Sequence, residues 1–366
     1  MSHLKNTFFI LILLIIIISL GGCITNLPET EPPFTEPPIT EPPAIFEWTF
    51  LTPDEQGVSS EILDNMTNTV TDENINVHSI IIVKNSSIIY ETYFSGFNEN
   101  MKHEIWSCTK SVTSALIGIA IDQGMLSLND IVIDLFPNKT FQNTDARKER
   151  LEVKDMLTMT TGLEWAGDTE YISLSTNQVP DWVQYVLDKP MVAEPGEVFN
   201  YHTGASHVLG AIIEIVSGME TLEYAKQFLF EPLGIEKFSW TRDTQGNVRT
   251  GSGLSILPRD MAKFGLLYLN NGTWMDEQIL SSAWVEASTE SHVGEGWGYG
   301  YQWWVYHNIE INDKTISKAY AARGYLDQVI FVIQELDLII VMTSNNLGDL
   351  GSDYLIANFI LPAVLG

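Results

Sequence analysis

Ser107 and Lys110, in the run Ser107-Cys108-Thr109-Lys110, stand three positions apart. On a helix that is one turn, and it puts a hydroxyl and an amine on the same face. A serine hydroxyl becomes a useful nucleophile when a neighbouring base takes its proton, and an unprotonated lysine can be that base. The segment from Ser107 to Gly124 reads as such a helix, with Val112, Ala115, Leu116, Ile119 and Ala120 apolar and Gly124 as its stop. Ser107 then lies at the helix N-terminus, where the dipole and unpaired N–H groups favour a developing alkoxide and disfavour an ammonium. Apolar turns around Lys110 strip it of water and push its pKa the same way. An N-capping serine beside a surface lysine would leave the same four letters, so the tetrapeptide alone does not decide between them. A second copy, Ser2-His3-Leu4-Lys5, lies in an N-terminal segment with no such context.

Other nucleophile and cofactor patterns are missing from the sequence. No Gly-x-Ser-x-Gly elbow occurs; Gly204-Ala205-Ser206-His207-Val208 lacks the final glycine. No His-Glu-x-x-His helix, phosphate-binding loop or dinucleotide fingerprint is present, and His202 and His207 do not have helical ligand spacing. The two cysteines, Cys23 and Cys108, support neither a disulfide framework nor a Cys-rich zinc site. Cys108 reads as a small buried side chain. The chemistry expected is therefore serine chemistry with no metal and no organic cofactor.

The elements that must position these residues follow from periodicity. Val77–Val83 and Ile88–Phe94 are β-rich runs joined by Lys84-Asn85-Ser86-Ser87, a predicted hairpin. Residues from about 130 to 290 read as mostly helical, with helices predicted at Asp181–Leu187, Ser206–Val216, Leu222–Phe230 and Pro258–Leu269. Strand signals return at Tyr301–Tyr306, Ala319–Ala322, Val329–Ile333 and Leu338–Thr343, before a last helix from about Asp353 to Leu361. Strands at both ends most simply pair into one antiparallel sheet flanked by helices, with the middle forming an inserted, mainly helical lobe: an α/β (α+β) chain. A small-molecule site is expected in the cleft between the two lobes.

Ahead of this body, Lys5 and the apolar run Phe8–Leu20 read as an export signal, too short for an ordinary membrane span. Leu20-Gly21-Gly22-Cys23 resembles a lipoprotein cleavage box, which would remove residues 1–22 and leave Cys23 acylated. An uncleaved anchor is the alternative; either places the body at the outer face of the cytoplasmic membrane. Residues 23–44 carry Thr-Glu-Pro-Pro three times at a five-residue period, a semi-rigid stalk, and the globular part spans 45–366. With 47 Asp+Glu against 19 Lys+Arg and a formal net charge of −28, the chain is unsuited to nucleic acid or anionic lipid headgroups. Its 45% hydrophobic content is ample for a core.

The helix Ser107–Gly124 comes with further segments in a recognisable order: Leu157-Thr158-Met159-Thr160-Thr161-Gly162-Leu163, Asn200-Tyr201-His202-Thr203-Gly204-Ala205-Ser206, Thr250-Gly251-Ser252-Gly253-Leu254 and Pro258-Arg259-Asp260. Together they resemble the β-lactamase-related serine hydrolases: class C β-lactamases, penicillin-binding D-Ala-D-Ala peptidases, family esterases and 6-aminohexanoate-dimer hydrolases. The resemblance implies a β-lactamase/transpeptidase-like fold with Ser107 as nucleophile, Lys110 as its base partner and Tyr201 as proton relay. It puts the family's third motif, on an edge-facing strand, at Ala322-Arg323-Gly324, with the N–H groups of Ser107 and Tyr325 as the oxyanion hole. Thr203, Arg323, Gly324, Trp165 and Tyr171 are the implied substrate-side residues, although Trp165 and Tyr171 also read as ordinary core aromatics. Ala322 stands where β-lactamases and D,D-peptidases carry a cation, and Thr203 replaces the usual Asn. Hydrolysis of a small ester or amide is thus expected ahead of D-amino-acid peptidase or β-lactamase activity. A catalytically silent surface binding protein is the alternative of another class. Which of Lys110 and Tyr201 is the principal base stays open.

Overall fold

In the computed structural model, residues 46–176, 178–294 and 297–366 are described. They fall in the second of two units, Met1–Ala44 and Ile45–Gly366. The signal-like segment, Cys23 and the proline-rich repeat lie outside the described residues.

The chain opens with β1 (Thr49–Phe50) and α1 (Ser60–Asp72), then the hairpin β2 (Val77–Lys84) and β3 (Ser87–Tyr93). After β4 (His103–Glu104) comes α2 (Cys108–Asp122). The middle holds α3 (Val153–Leu157), α4 (Asp168–Ser175), α5 (Trp182–Leu187), α6 (Thr203–Ser217) and α7 (Thr221–Ala225). It continues with β5 (Ser239–Trp240), β6 (Leu254–Ile256), α8 (Pro258–Leu269), β7 (Thr273–Trp274), β8 (Glu277–Gln278) and α9 (Ser282–Ser288). The last part brings β9 (Trp297–Tyr299), β10 (Trp304–Ile311), β11 (Lys314–Gly324), β12 (Gln328–Ile333) and β13 (Leu338–Ser344). It closes with α10 (Ser352–Leu355) and α11 (Leu361–Leu365).

Eight strands form the main sheet in the order β1-β3-β2-β13-β12-β11-β10-β9. The pairing of β2 with β13, antiparallel from Leu338↔Lys84 onward, joins the two ends of the chain as the strand pattern predicts. The edge pair β1–β3 is parallel, the one departure from an antiparallel sheet. Both faces are covered, which is why the central strands are nearly continuous apolar runs and not alternating ones. Ile339 and Val341 of β13 face the core shared with α2 and α8. Leu338, Ile340 and Met342 face a second core built with Leu63, Met66 and Val70 of α1 and with Leu355, Ile360 and Leu361.

The predicted helix after Ser107 is present. Residues 108–120 of α2 are buried all round, so tertiary packing, not an amphipathic stripe, holds it. Gly124, in the left-handed region at φ +71, ends it, and the Met125 N–H donates to the Ala120 carbonyl at 2.9 Å. Several boundaries differ from the sequence pattern, β11 most of all, since it runs Lys314–Gly324 and not Ala319–Ala322; two of them bear on the site. α6 begins at Thr203, not Ser206, because its cap is an imidazole: His202 Nδ1 accepts from the Ala205 N–H at 3.1 Å. β10 begins at Trp304, not Tyr301, because Gln302 adopts φ +64, which interrupts extended pairing.

Candidate active site

Ser107 sits immediately before α2, and the turn that presents it is unusual. Trp106 has φ +47, a left-handed conformation costly for a bulky residue. The N–H groups of Cys108, Thr109 and Lys110 donate to the carbonyls of Ile105, Trp106 and Ser107, at 3.0 Å each. Ser107 itself is at φ −69, ψ −8, and its side chain makes no capping bond to the helix. The N-cap alternative therefore does not describe this serine, and the surface alternative does not describe its partner, since Lys110 is 1% exposed.

Lys110 Nζ lies 2.9 Å from Ser107 Oγ and donates to the Gly251 carbonyl at 2.6 Å. Burial without a carboxylate partner pushes its pKa down to about 7. A carbonyl only accepts, so one amine hydrogen is committed to Gly251. In the neutral amine the lone pair is then free to accept the Ser107 hydroxyl proton. Gly251 is a position where a side chain does not fit: a Cβ there would lie 2.6 Å from the Thr203 carbonyl oxygen. Thr203 thus lies directly against the Gly251 backbone.

Tyr201 directly precedes the His202 cap, which fixes it at the mouth of α6. Its ring centroid is 4.9 Å from Lys110 Nζ. Burial raises the phenol pKa above its ordinary value, opposed by a hydrogen-bonding interaction with Ser107. Tyr201 is consequently a phenol, not a phenolate, at neutral pH. Trp304 stacks along it at 5.8 Å and Tyr299 meets it edge-on at 6.2 Å. The predicted trio is thus one cluster: an amine near its titration point, a hydroxyl, and a protonated phenol.

The other side of Ser107 is formed by the end of β11. This strand is interior, between β10 and β12, so the expected edge-facing position is corrected; its C-terminal end is what meets α2. A Cβ on Gly324 would lie 2.3 Å from the Ile105 carbonyl oxygen, so only glycine permits this approach. The following turn, Tyr325 to Asp327, is held from several sides. Gln328 Nε2 donates to the Tyr325 and Leu326 carbonyls at 3.2 and 3.0 Å, and Ser344 Oγ donates to the Leu326 carbonyl at 2.6 Å. Tyr325 is 55% exposed and meets Trp106 edge-on at 5.4 Å, forming an aromatic rim.

The remaining sequence-predicted residues divide. Arg323 Nε donates to the Tyr306 hydroxyl at 2.5 Å and its guanidinium pairs with Asp353. It is committed to a neighbouring strand and helix. Ala322 is buried. Trp165 is also buried and stacks on His202 at 4.0 Å, so it supports the Tyr201 segment as a core aromatic. Tyr171 on α4 bonds Ser252 Oγ at 3.0 Å, beside Gly251. Cys108 is buried and its thiol pKa is raised by that burial, as a packing role requires. Sequence reasoning missed Trp106, the Gly251 carbonyl, and Gln302. Gly251 was within a segment already singled out, but nothing in its letters indicates which carbonyl meets Lys110. Among the described residues, no group of three or more His, Cys, Asp and Glu side chains is arranged to hold a metal ion.

This fold and this cluster define a serine hydrolase of the β-lactamase type. The chain belongs to the Beta-lactamase family, which it matches over residues 63–364. It is 23% identical over 291 residues to the 6-aminohexanoate-dimer hydrolase of Paenarthrobacter ureafaciens, covering 73% of this chain and 72% of that protein. Its fold is similar to the structure of a putative 6-aminohexanoate-dimer hydrolase from Bacillus anthracis (TM-score 0.67, 22% identity, 86% and 85% of the two chains). It is similar also to EstCE1, described as a hydrolase with promiscuous acyltransferase activity (TM-score 0.69, 19% identity, 84% and 98%).

Proposed function

We propose that the protein hydrolyses small esters or amides through an acyl-enzyme on Ser107. The observation that carries this is the buried Lys110 amine, 2.9 Å from Ser107 Oγ and anchored by the Gly251 carbonyl. Neutral Lys110 takes the Ser107 proton as Oγ forms its bond to the substrate carbonyl carbon. The carbonyl electrons move onto oxygen, which the N–H groups of Ser107 and Tyr325 receive. The tetrahedral intermediate collapses as the bond to the leaving alcohol or amine breaks. The leaving group takes the Tyr201 hydroxyl proton, and Lys110 returns a proton to the phenol. A water then repeats the sequence on the acyl-enzyme and frees Ser107.

Two neighbouring side chains favour substrates without a carboxylate to be clamped. Ala322 is buried, and Arg323 is engaged by Tyr306 and Asp353. This ranks ester and simple amide turnover above β-lactam and D-amino-acid peptide turnover. The purified protein should be assayed against p-nitrophenyl esters, a chromogenic cephalosporin and D-amino-acid amides, with Ser107→Ala as control. Ester turnover abolished in Ser107→Ala is expected; cephalosporin turnover faster than ester turnover would overturn the ranking. We also propose that the protein is exported and held at the membrane by acylation of Cys23, following Leu20-Gly21-Gly22. Mass analysis of the mature N-terminus should then find an acylated Cys23 as the first residue. A chain that keeps residues 1–22 with an unmodified Cys23 would indicate an uncleaved anchor instead.

A further inference from the structure

Gln302 lies outside the reacting groups, yet its surroundings are hard to reconcile with a filler role. It is 2% exposed and holds φ +64, a conformation uncommon for any residue but glycine, asparagine and aspartate. Every polar atom of its side chain is used. Oε1 accepts from Ser206 Oγ at 2.6 Å; Nε2 donates to the Leu157 and Met156 carbonyls at 2.8 and 3.2 Å. Its backbone carbonyl accepts from Ser111 Oγ at 2.7 Å. One residue therefore ties α2, α3 and α6 together.

These bonds belong to a closed circuit. Ser111 adjoins Lys110 on α2, and Gln302 connects Ser111 to Ser206 on α6, the helix that carries Tyr201 at its mouth. The Ser206 carbonyl accepts from Thr250 Oγ1 at 2.8 Å, and the Thr250 carbonyl accepts from Thr113 Oγ1 at 2.7 Å, back on α2. Gly251, next to Thr250, accepts from Lys110 Nζ. All of these side chains are buried. In such surroundings a broken link leaves polar groups unpaired unless the packing opens to water, so the circuit closes as a unit.

We infer that Gln302 is a positioning residue: through Ser111 and Ser206 it sets where the Lys110 amine stands relative to Ser107 and Tyr201. The inference rests on the reading of Lys110 as the base. The titratable groups bearing on Lys110 are Cys108 on its own helix and Tyr201 and His202 from the α6 side. Burial keeps all three uncharged at neutral pH, raising the thiol and phenol and lowering the imidazole to about 3. Burial is therefore the largest influence on the Lys110 proton affinity, with Cys108 acting the other way. Loosening the circuit admits water and lets the ammonium form recover.

The test uses the full chain with Gln302→Met, similar in length but without polar atoms, and Ser206→Ala, which removes one hydroxyl of the same link. Both should lower kcat by roughly ten- to a hundredfold while KM changes by less than about threefold, the scale of a misplaced catalytic group. Both should raise the acid-limb pKa of kcat/KM, which reports the free-enzyme base. The double variant should be little worse than either single one. An unchanged acid limb and kcat within about twofold of the native value, with Ser107→Ala inactive, would overturn the inference; so would full additivity. If Ser107→Ala keeps native activity, the reading of the site fails instead, and the two failures are told apart.

Discussion

At the scale of single residues, catalysis depends on Lys110 being neutral when it meets Ser107. With its pKa pushed down to about 7, kcat/KM should rise with pH through that value and level off above it, since the amine accepts a proton only once it has lost its own. An activity that falls between pH 6 and 8 contradicts this. The same burial has a stability consequence. The folded protein holds this amine near pKa 7, whereas the unfolded chain keeps the ordinary value of 10.5. Between those pH values the unfolded chain binds more protons, so this group's contribution to stability improves as pH rises and is least favourable below pH 7. The cost is at most roughly 5 kcal/mol. Lys110→Met removes it but orphans the Gly251 carbonyl, which takes back about 1–3 kcal/mol. Urea midpoints should show Lys110→Met gaining on the native protein at pH 6 and losing ground by pH 9; the opposite trend contradicts the buried neutral amine. Tyr201→Phe should cut kcat by about a hundredfold or more, because a general acid is lost; unchanged kcat in steady-state assays would remove Tyr201 from the mechanism.

At the scale of elements, the site is the meeting of the start of α2, the mouth of α6 and the end of β11. Gly324 is where two of them touch. Gly324→Ala sets a methyl 2.3 Å from the Ile105 carbonyl, so the strand end and helix start must part, at a cost of about 1–3 kcal/mol. The Tyr325 turn shifts with them, and kcat should fall by tenfold or more in steady-state assays; a native kcat would mean that this turn does not receive the oxyanion. These elements differed in how plainly they stood in the sequence. α2 was legible because Val112, Ala115, Leu116, Ile119 and Ala120 recur at helical spacing and Gly124 stops the run. The start of α6 was not, since a histidine cap leaves none of the usual serine, threonine or aspartate signal. The role of Gln302 was invisible for a related reason: its partners at 111, 157 and 206 are brought to it only by the folded chain.

At the scale of the whole molecule, pairing of the chain's two ends into one sheet was the most readable feature, because β2 and β13 are apolar on both faces. Which carbonyl meets Lys110 was not readable at all, since it depends on packing α6 against the 250–251 segment. The full chain carries a net charge of −28, most of it on the globular part. Self-repulsion among like charges is screened when the Debye length falls from about 30 Å at 0.01 M salt to about 3 Å at 1 M. Thermal midpoints should therefore rise by several degrees on adding potassium chloride, and a falling midpoint would contradict a repulsion-limited surface.

The central claim is that Ser107 becomes acylated. Intact-protein mass spectrometry after brief exposure to a p-nitrophenyl ester or a serine-reactive phosphonate, followed by peptide mapping, tests it most directly. One adduct on the peptide containing Ser107, absent from Ser107→Ala, is the expected result. An adduct elsewhere, or ester hydrolysis that persists in Ser107→Ala, would contradict it.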